Sequence, residues 1–228
     1  MQKSVHKDYS ENLAFIKDRF NEVLSNILQN LIYAMDLSVV NNIDFKHFIQ
    51  QINEYESETE SQIFNIIIRY SPNSKDLRLL LGILKSLNDL ERISKTINRI
   101  SKVFIRYGRD TQTVDINLFS SFEEMGKRLI IMLKQLIDIS STTNVSNEEA
   151  ELFRQQLTQA DDYIDNLFKD IYKILIDKIC NEANSKQQAK LLAKTILVVR
   201  HMERLGDHLC KIAEKILYIE TGTHFSIS

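Results

Sequence analysis

His201-Met202-Glu203-Arg204-Leu205-Gly206 and, nearer the N-terminus, Asp89-Leu90-Glu91-Arg92-Ile93-Ser94 are two versions of one phrase, 112 positions apart. Around the later copy, apolar residues recur at Val198, Met202, Leu205, Leu209, Ile212, Ile216 and Ile219, in steps of four and three. That is the seam of a helix that buries one face in a bundle. Moving the frame back by 112 gives Ser86, Leu90, Ile93, Ile97, Ile100, Phe104 and Tyr107, the same seam with one polar member. A duplication explains both, and predicts an all-α chain of two pseudo-symmetric three-helix bundles, residues 1–112 and 113–228.

Composition agrees with helices. One proline and five isolated glycines in 228 residues leave too few turn-formers for a sandwich or barrel, and no Gly-rich loop to cradle phosphate. The 29 basic and 31 acidic residues are interspersed, which argues against a nucleic-acid footprint or a polybasic membrane anchor. Stretches such as Ile66-Ile67-Ile68 fall far short of a membrane span, the N-terminal residues have no apolar signal core, and Cys180 and Cys210 form no CxxC pair. A cytoplasmic protein is expected.

Six helices account for the chain. The first runs from Ser10 to Leu37 on the stripe Leu13, Ile16, Phe20, Leu24, Ile27, Leu31 and Ala34, and the second from Asp44 to Arg69. Ser71-Pro72-Asn73-Ser74 breaks the chain before a third helix, Lys75–Tyr107, with Gly108 as a left-handed cap. After the loop Arg109–Thr113, the fourth spans Asp115–Ile139. The fifth follows Ser146-Asn147-Glu148-Glu149, whose carboxylates suit a first turn, and extends to Cys180; the sixth covers Ser185–Glu220. Phe15, Phe20, Phe64, Phe104, Phe122, Phe153 and Phe168 fall at helical spacing and are expected in the core or between helices.

With Met202 and Leu205 facing the core, Glu203 and Asp207 are expected on an outward stripe one turn apart, and Asp161 and Asp165 form a matching pair on the fifth helix. Side by side, these helices would bring four carboxylates to one groove. Such oxygens suit Mg, Mn or Ca, and His208 or His201 nearby would extend the choice to iron or zinc. An acidic solvated face explains the spacing more simply. Cys210 shares the stripe with the carboxylates and reads as an ordinary half-buried cysteine.

The motif Arg200-His201-Met202-Glu203-Arg204-Leu205-Gly206-Asp207-His208 closely resembles the LERIGD signature of the PhoU family of phosphate-signalling proteins. Asn88–Lys95 is similar to a degenerate copy, Pro72 with Asp76-Leu77-Arg78 resembles the family's entry to its third helix, and Tyr218–Gly222 its usual ending. The resemblance covers nearly the whole chain. It implies two three-helix bundles with E/D-x-x-x-D motifs binding a metal cluster of iron, zinc, manganese or magnesium. Asp161, Asp165, Glu203 and Asp207 match those motifs, with His208 as a subsidiary ligand. In the first half only Glu91 and Glu56 match: Lys95 stands in place of an aspartate and Ile52 opposite Asp161. A lysine ammonium in the cation's place predicts one metal cluster, in the second half, and little or none in the first. Asp89 is a further oxygen donor for a residual first site.

The resemblance further implies a non-enzymatic negative regulator of phosphate uptake and phosphate-starvation signalling. Its partners would be the ATPase subunit of the phosphate ABC transporter and a sensor histidine kinase, reaching the membrane only through them, and it would be a homodimer. Two alternatives stay open. One is a carboxylate-bridged metalloenzyme, a metal-dependent phosphatase or di-iron protein, although His208 follows Glu203 by five rather than three residues. The other is a metal-free structural adaptor.

Overall fold

The computed structural model describes residues 2–109, 116–142, 144–183 and 185–227. Six long helices carry these residues: α1 Gln2–Met35, α2 Phe45–Tyr70, α3 Ser74–Arg109, α4 Ile116–Ser141, α5 Asn147–Asp177 and α6 Lys186–Thr221. A 3₁₀ turn at Val40–Asn42 joins α1 to α2, and a π-helical turn at Lys178–Glu182 follows α5. Among the described residues there is no strand, and no helix is long and apolar enough to cross a membrane.

Short polar side chains set most boundaries. Asp44 accepts from the backbone N–H groups of Lys46 and His47, Asn73 from those of Lys75 and Asp76, and Ser185 from that of Gln188. Ser146 and Glu149 make a reciprocal capping box at the start of α5. α2 ends on Ser71 in the left-handed region (φ 48°), and α6 ends on Gly222 (φ 73°), whose N–H donates to the Tyr218 carbonyl at 2.9 Å.

Three boundaries differ from expectation. α1 starts well before Ser10, whose hydroxyl donates back to the Lys7 carbonyl instead of capping. α3 continues through Gly108, since glycine permits a left-handed stop without imposing one. α5 gives way to the π turn at Lys178, so Cys180 lies in that turn. The expected loop 109–113 falls, from Asp110 on, outside the described residues, as does Asp115.

α3 and α6 form the centre, and their mutual interface is the most extensive in the molecule. Around them α1 and α2 pack with α3, α4 and α5 pack with α6, and α1 also meets α4. The central pair is antiparallel: Asp89 meets His208, and further along Gly82 meets Ile219. A Cβ at Gly82 would lie 2.5 Å from Ile219 Cδ1, so the absence of a side chain sets how closely the helices approach. Both seams are buried as read, from Ser86 to Phe104 and from Val198 to Ile219; the Tyr107 side chain is outside the described set. The apolar interior is continuous across both halves. Phe20, Phe104, Phe122 and Phe153 are buried in it and Phe168 packs against it, whereas Phe15 and Phe64 are each 49% exposed, contrary to expectation. They sit on the outer faces of α1 and α2, which no further helix covers.

Candidate functional site

α6 carries a second buried stripe beside its seam: Val199, Glu203, Gly206, Cys210, Ala213 and Leu217, again in steps of four and three. It exists because α6 packs against α3, α4 and α5 together, so from His201 on little of its circumference meets solvent. The stripe faces α5, and its small members allow close approach. A Cβ on Gly206 would stand 3.4 Å from Asp161 Oδ1 and 3.6 Å from Ile164 Cδ1. The expected outward placement of Glu203 is therefore corrected. Its side chain is buried, with the residue only 8% exposed, because α5 lies over the stripe that a single-seam reading gave to solvent.

The four carboxylates share this α5–α6 groove. Asp161, Asp165 and Asp207 are half-buried at its edge and Glu203 lies deeper. Burial pushes the Asp161 carboxyl up to about 6, with Asp207, Asp165 and Asp162 adding like-charge repulsion and a hydrogen bond from the Cys210 thiol opposing the rise. Glu203 is raised in the same way, first by burial and then by Asp207, with Arg200 opposing and Asp165 adding to the rise. Arg200 Nη1 donates to Glu203 Oε1 at 2.5 Å while its guanidinium lies over the Phe168 ring of α5, 5.3 Å from the centroid. Glu203 Oε2 is buried with no hydrogen-bond partner. Cys210 is fully buried rather than half-buried, and burial beside Asp161 and Asp207 raises its thiol far above the ordinary range, so it serves the groove as a neutral donor.

The histidines lie elsewhere. His208 pairs through Nδ1 with Asp89 Oδ1 at 2.9 Å across the α3–α6 interface, and the other Asp89 oxygen is taken by Lys215. His201 is held below its ordinary pKa by burial and then by the Arg99 and Arg204 charges, Arg99 belonging to α3. The groove is thus an all-oxygen site with a thiol behind it. Asp89, a further donor expected for a first-half site, has each oxygen hydrogen-bonded within this network. Neither the Asp89–His208–Lys215 network nor the second stripe of α6 was anticipated from sequence. The stripe was readable as a second four-three pattern. The network was not, because Asp89 lies more than a hundred positions from His208 and Lys215.

The first half carries Lys95 at the position that Asp207 holds in the second. Lys95 is ion-paired with Glu91 one turn away; on α2 the Glu56 carboxyl is raised by burial and then by the Glu91 and Glu60 charges, with Lys95 opposing the rise. Ile52 is buried in the core at the place corresponding to Asp161. Among the described residues, no three His, Cys, Asp or Glu side chains gather around one point as a metal ion would require.

The PhoU domain model matches the chain twice, over residues 20–104 and 122–216. The chain belongs to the PhoU family. The two matches place one PhoU unit on α1 to α3 and one on α4 to α6. A relative from Thermotoga maritima, called "Phosphate-specific transport system accessory protein PhoU homolog 1", is 31% identical across 95% of this chain and 90% of its own. A Deinococcus radiodurans protein called a "Phosphate-specific transport system accessory protein PhoU homolog" is 25% identical over 76% of each. Among solved structures, PhoU from Pseudomonas aeruginosa superposes with a TM-score of 0.72, covering 98% of this chain and all of the other at 22% identity. The phosphate transport system regulatory protein PhoU from Streptococcus pneumoniae gives 0.73 over 96% and 99% at 20% identity. At these identities the structures speak for the fold, which is the PhoU fold of six helices.

Proposed function

We propose that this protein is a non-catalytic negative regulator of phosphate uptake and phosphate-starvation signalling in the cytoplasm. It acts by docking on the ATPase subunit of the phosphate ABC transporter and on a sensor histidine kinase. Family membership across nearly the full length, with relatives named as accessory proteins of phosphate-specific transport, supports the pathway. The observation that carries the site is the α5–α6 groove, which four carboxylates share and where one buried oxygen lacks a partner.

Its donor chemistry fits a hard divalent or trivalent cation. Asp161, Asp165, Glu203 and Asp207 would hold the ion, and its charge would relieve their mutual repulsion and satisfy Glu203. Side chains would rotate to close around it, since they do not converge on one point as they stand. With His201 and His208 turned to α3, magnesium or manganese suits the groove better than zinc. In the first half Lys95 supplies the positive charge, so metal loading belongs to the second half.

Metal-stripped protein should melt at a higher temperature with manganese, because a ligand that binds only the native state stabilises it. Asp207→Ala should abolish the rise; a rise unchanged by that substitution would overturn the ligand assignment, and no rise in the parent would leave a metal-free adaptor. Asp207→Lys should weaken co-purification with the transporter ATPase, and undiminished association would count against docking through this face.

A further inference from the structure

Where α3 begins and α6 ends, the two helices and the tail after Thr221 line a half-open cavity of about 520 Å³. It lies on the α3 side of α6, apart from the carboxylate groove. Arg78 looks into it from the first turns of α3. The Arg78 Nε is buried with no hydrogen-bond partner, and among the described residues the guanidinium makes no ion pair. A shielded guanidinium donor without an acceptor is costly, and it is an uncommon thing for a chain to keep without use.

Among the described residues the surroundings give that charge no ion-pair partner. Lys85, on the same face of α3, is exposed and has no ion-pair partner among the described residues. Lys215 forms part of the wall, with its ammonium held by Asp89 and donating to the Lys85 carbonyl at 2.8 Å. Glu214, the acidic side chain among those lining the cavity, is engaged by the tail: its Oε1 accepts from the Ile227 N–H at 2.9 Å. Gly222, in the left-handed region, keeps the backbone close beside Arg78. A Cβ there would lie 3.5 Å from the guanidinium carbon.

Apart from Ser74, the rest of the lining is apolar or aromatic. Leu81 and Phe225 form one wall, and His224 stacks on Tyr218 with ring centroids 4.2 Å apart and planes 13° from parallel. Cavities of roughly 300–1,000 Å³ with mostly apolar walls and a few converging polar groups are the usual form of small-molecule sites. Inorganic phosphate alone would occupy a minor part of this one.

We propose that this cavity binds a small organic phosphate. Arg78 would take two phosphate oxygens with its fork of donors and Lys85 would add a second positive charge, while the Leu81–Phe225 wall and the His224–Tyr218 stack receive the apolar or planar body. The tail from Thr223 to Ile227 is part of the site, held in place by the Glu214 contact and by the Thr158 hydroxyl donating to the Ile227 carbonyl at 3.3 Å.

Calorimetric titration of the full chain at low salt with adenosine 5′-monophosphate, adenosine and inorganic phosphate tests this. The monophosphate should bind saturably, adenosine should not, and inorganic phosphate should bind at least about tenfold more weakly. Arg78→Gln and Lys85→Gln should each weaken the monophosphate by about tenfold, the loss expected for one charge-assisted hydrogen bond. Lys85 is exposed, so its variant should keep the parent's helical circular dichroism and melting temperature. Absence of monophosphate binding, or binding undiminished in both variants, would overturn the site. Inorganic phosphate binding as tightly as the monophosphate would overturn the role of the apolar wall.

Discussion

Asp161→Asn should stabilise the metal-free protein at neutral and alkaline pH. The folded chain holds the Asp161 proton up to about 6, against an ordinary 3.8, because burial and then Asp207, Asp165 and Asp162 oppose its ionisation. A carboxyl whose folded pKa is raised contributes most below its unfolded value. That contribution is lost as pH climbs from about 4 through about 6 and stays lost above. A rise of this size corresponds to about 3 kcal/mol between the protonation states. The groove is open to solvent at its edge and Asp161 is only half-buried, so screening reduces the expected effect to about 1–2 kcal/mol. Asparagine keeps the shape and an oxygen to accept from the Cys210 thiol, and has no proton to lose. Urea unfolding of chelator-treated protein, followed by helical circular dichroism, should give similar stabilities for parent and variant near pH 4. At pH 8 the variant should lead by about 1–2 kcal/mol. A difference that does not change with pH, or a variant weaker at pH 8, would refute the claim that Asp161 is ionised there at a cost among like charges.

Two further outcomes follow from the other ion pairs. Asp89→Asn should cost about 2 kcal/mol at pH 7 by urea unfolding, since it leaves the Lys215 ammonium and His208 with a neutral partner at the central interface. Burial works against Asp89 ionising, but the His208 and Lys215 hydrogen bonds hold its carboxyl below the ordinary range, so this stabilisation is present above pH 4 and fades as acid protonates it. Lys95→Gln should cost less than about 1 kcal/mol, because its pair with Glu91 is partly exposed, and should leave the manganese content of the protein unchanged.

By itself the sequence determined the helices, most of their caps and the two seams. Those depend on local periodicity, on side chains that bond backbone groups two or three positions away, as Asp44 and Ser146 do, and on a residue that takes the left-handed turn, as Gly222 does. The four-residue spacing also paired Glu203 with Asp207 and Asp161 with Asp165, because residues four apart on a helix share a side. How deep each lies was decided by tertiary structure alone. A seam tells which face is apolar but not how many neighbours a helix has, and α6, enclosed by α3, α4 and α5, buries a stripe that a peripheral helix would give to water. That enclosure takes Glu203 from the surface into the interior and raises the Asp161 carboxyl. It also turns His208 toward Asp89 and sets Arg78 beside the end of a helix that begins more than a hundred residues later. The physical reason is range: capping and periodicity act within a few turns, whereas desolvation and charge pairing depend on which distant segments pack alongside.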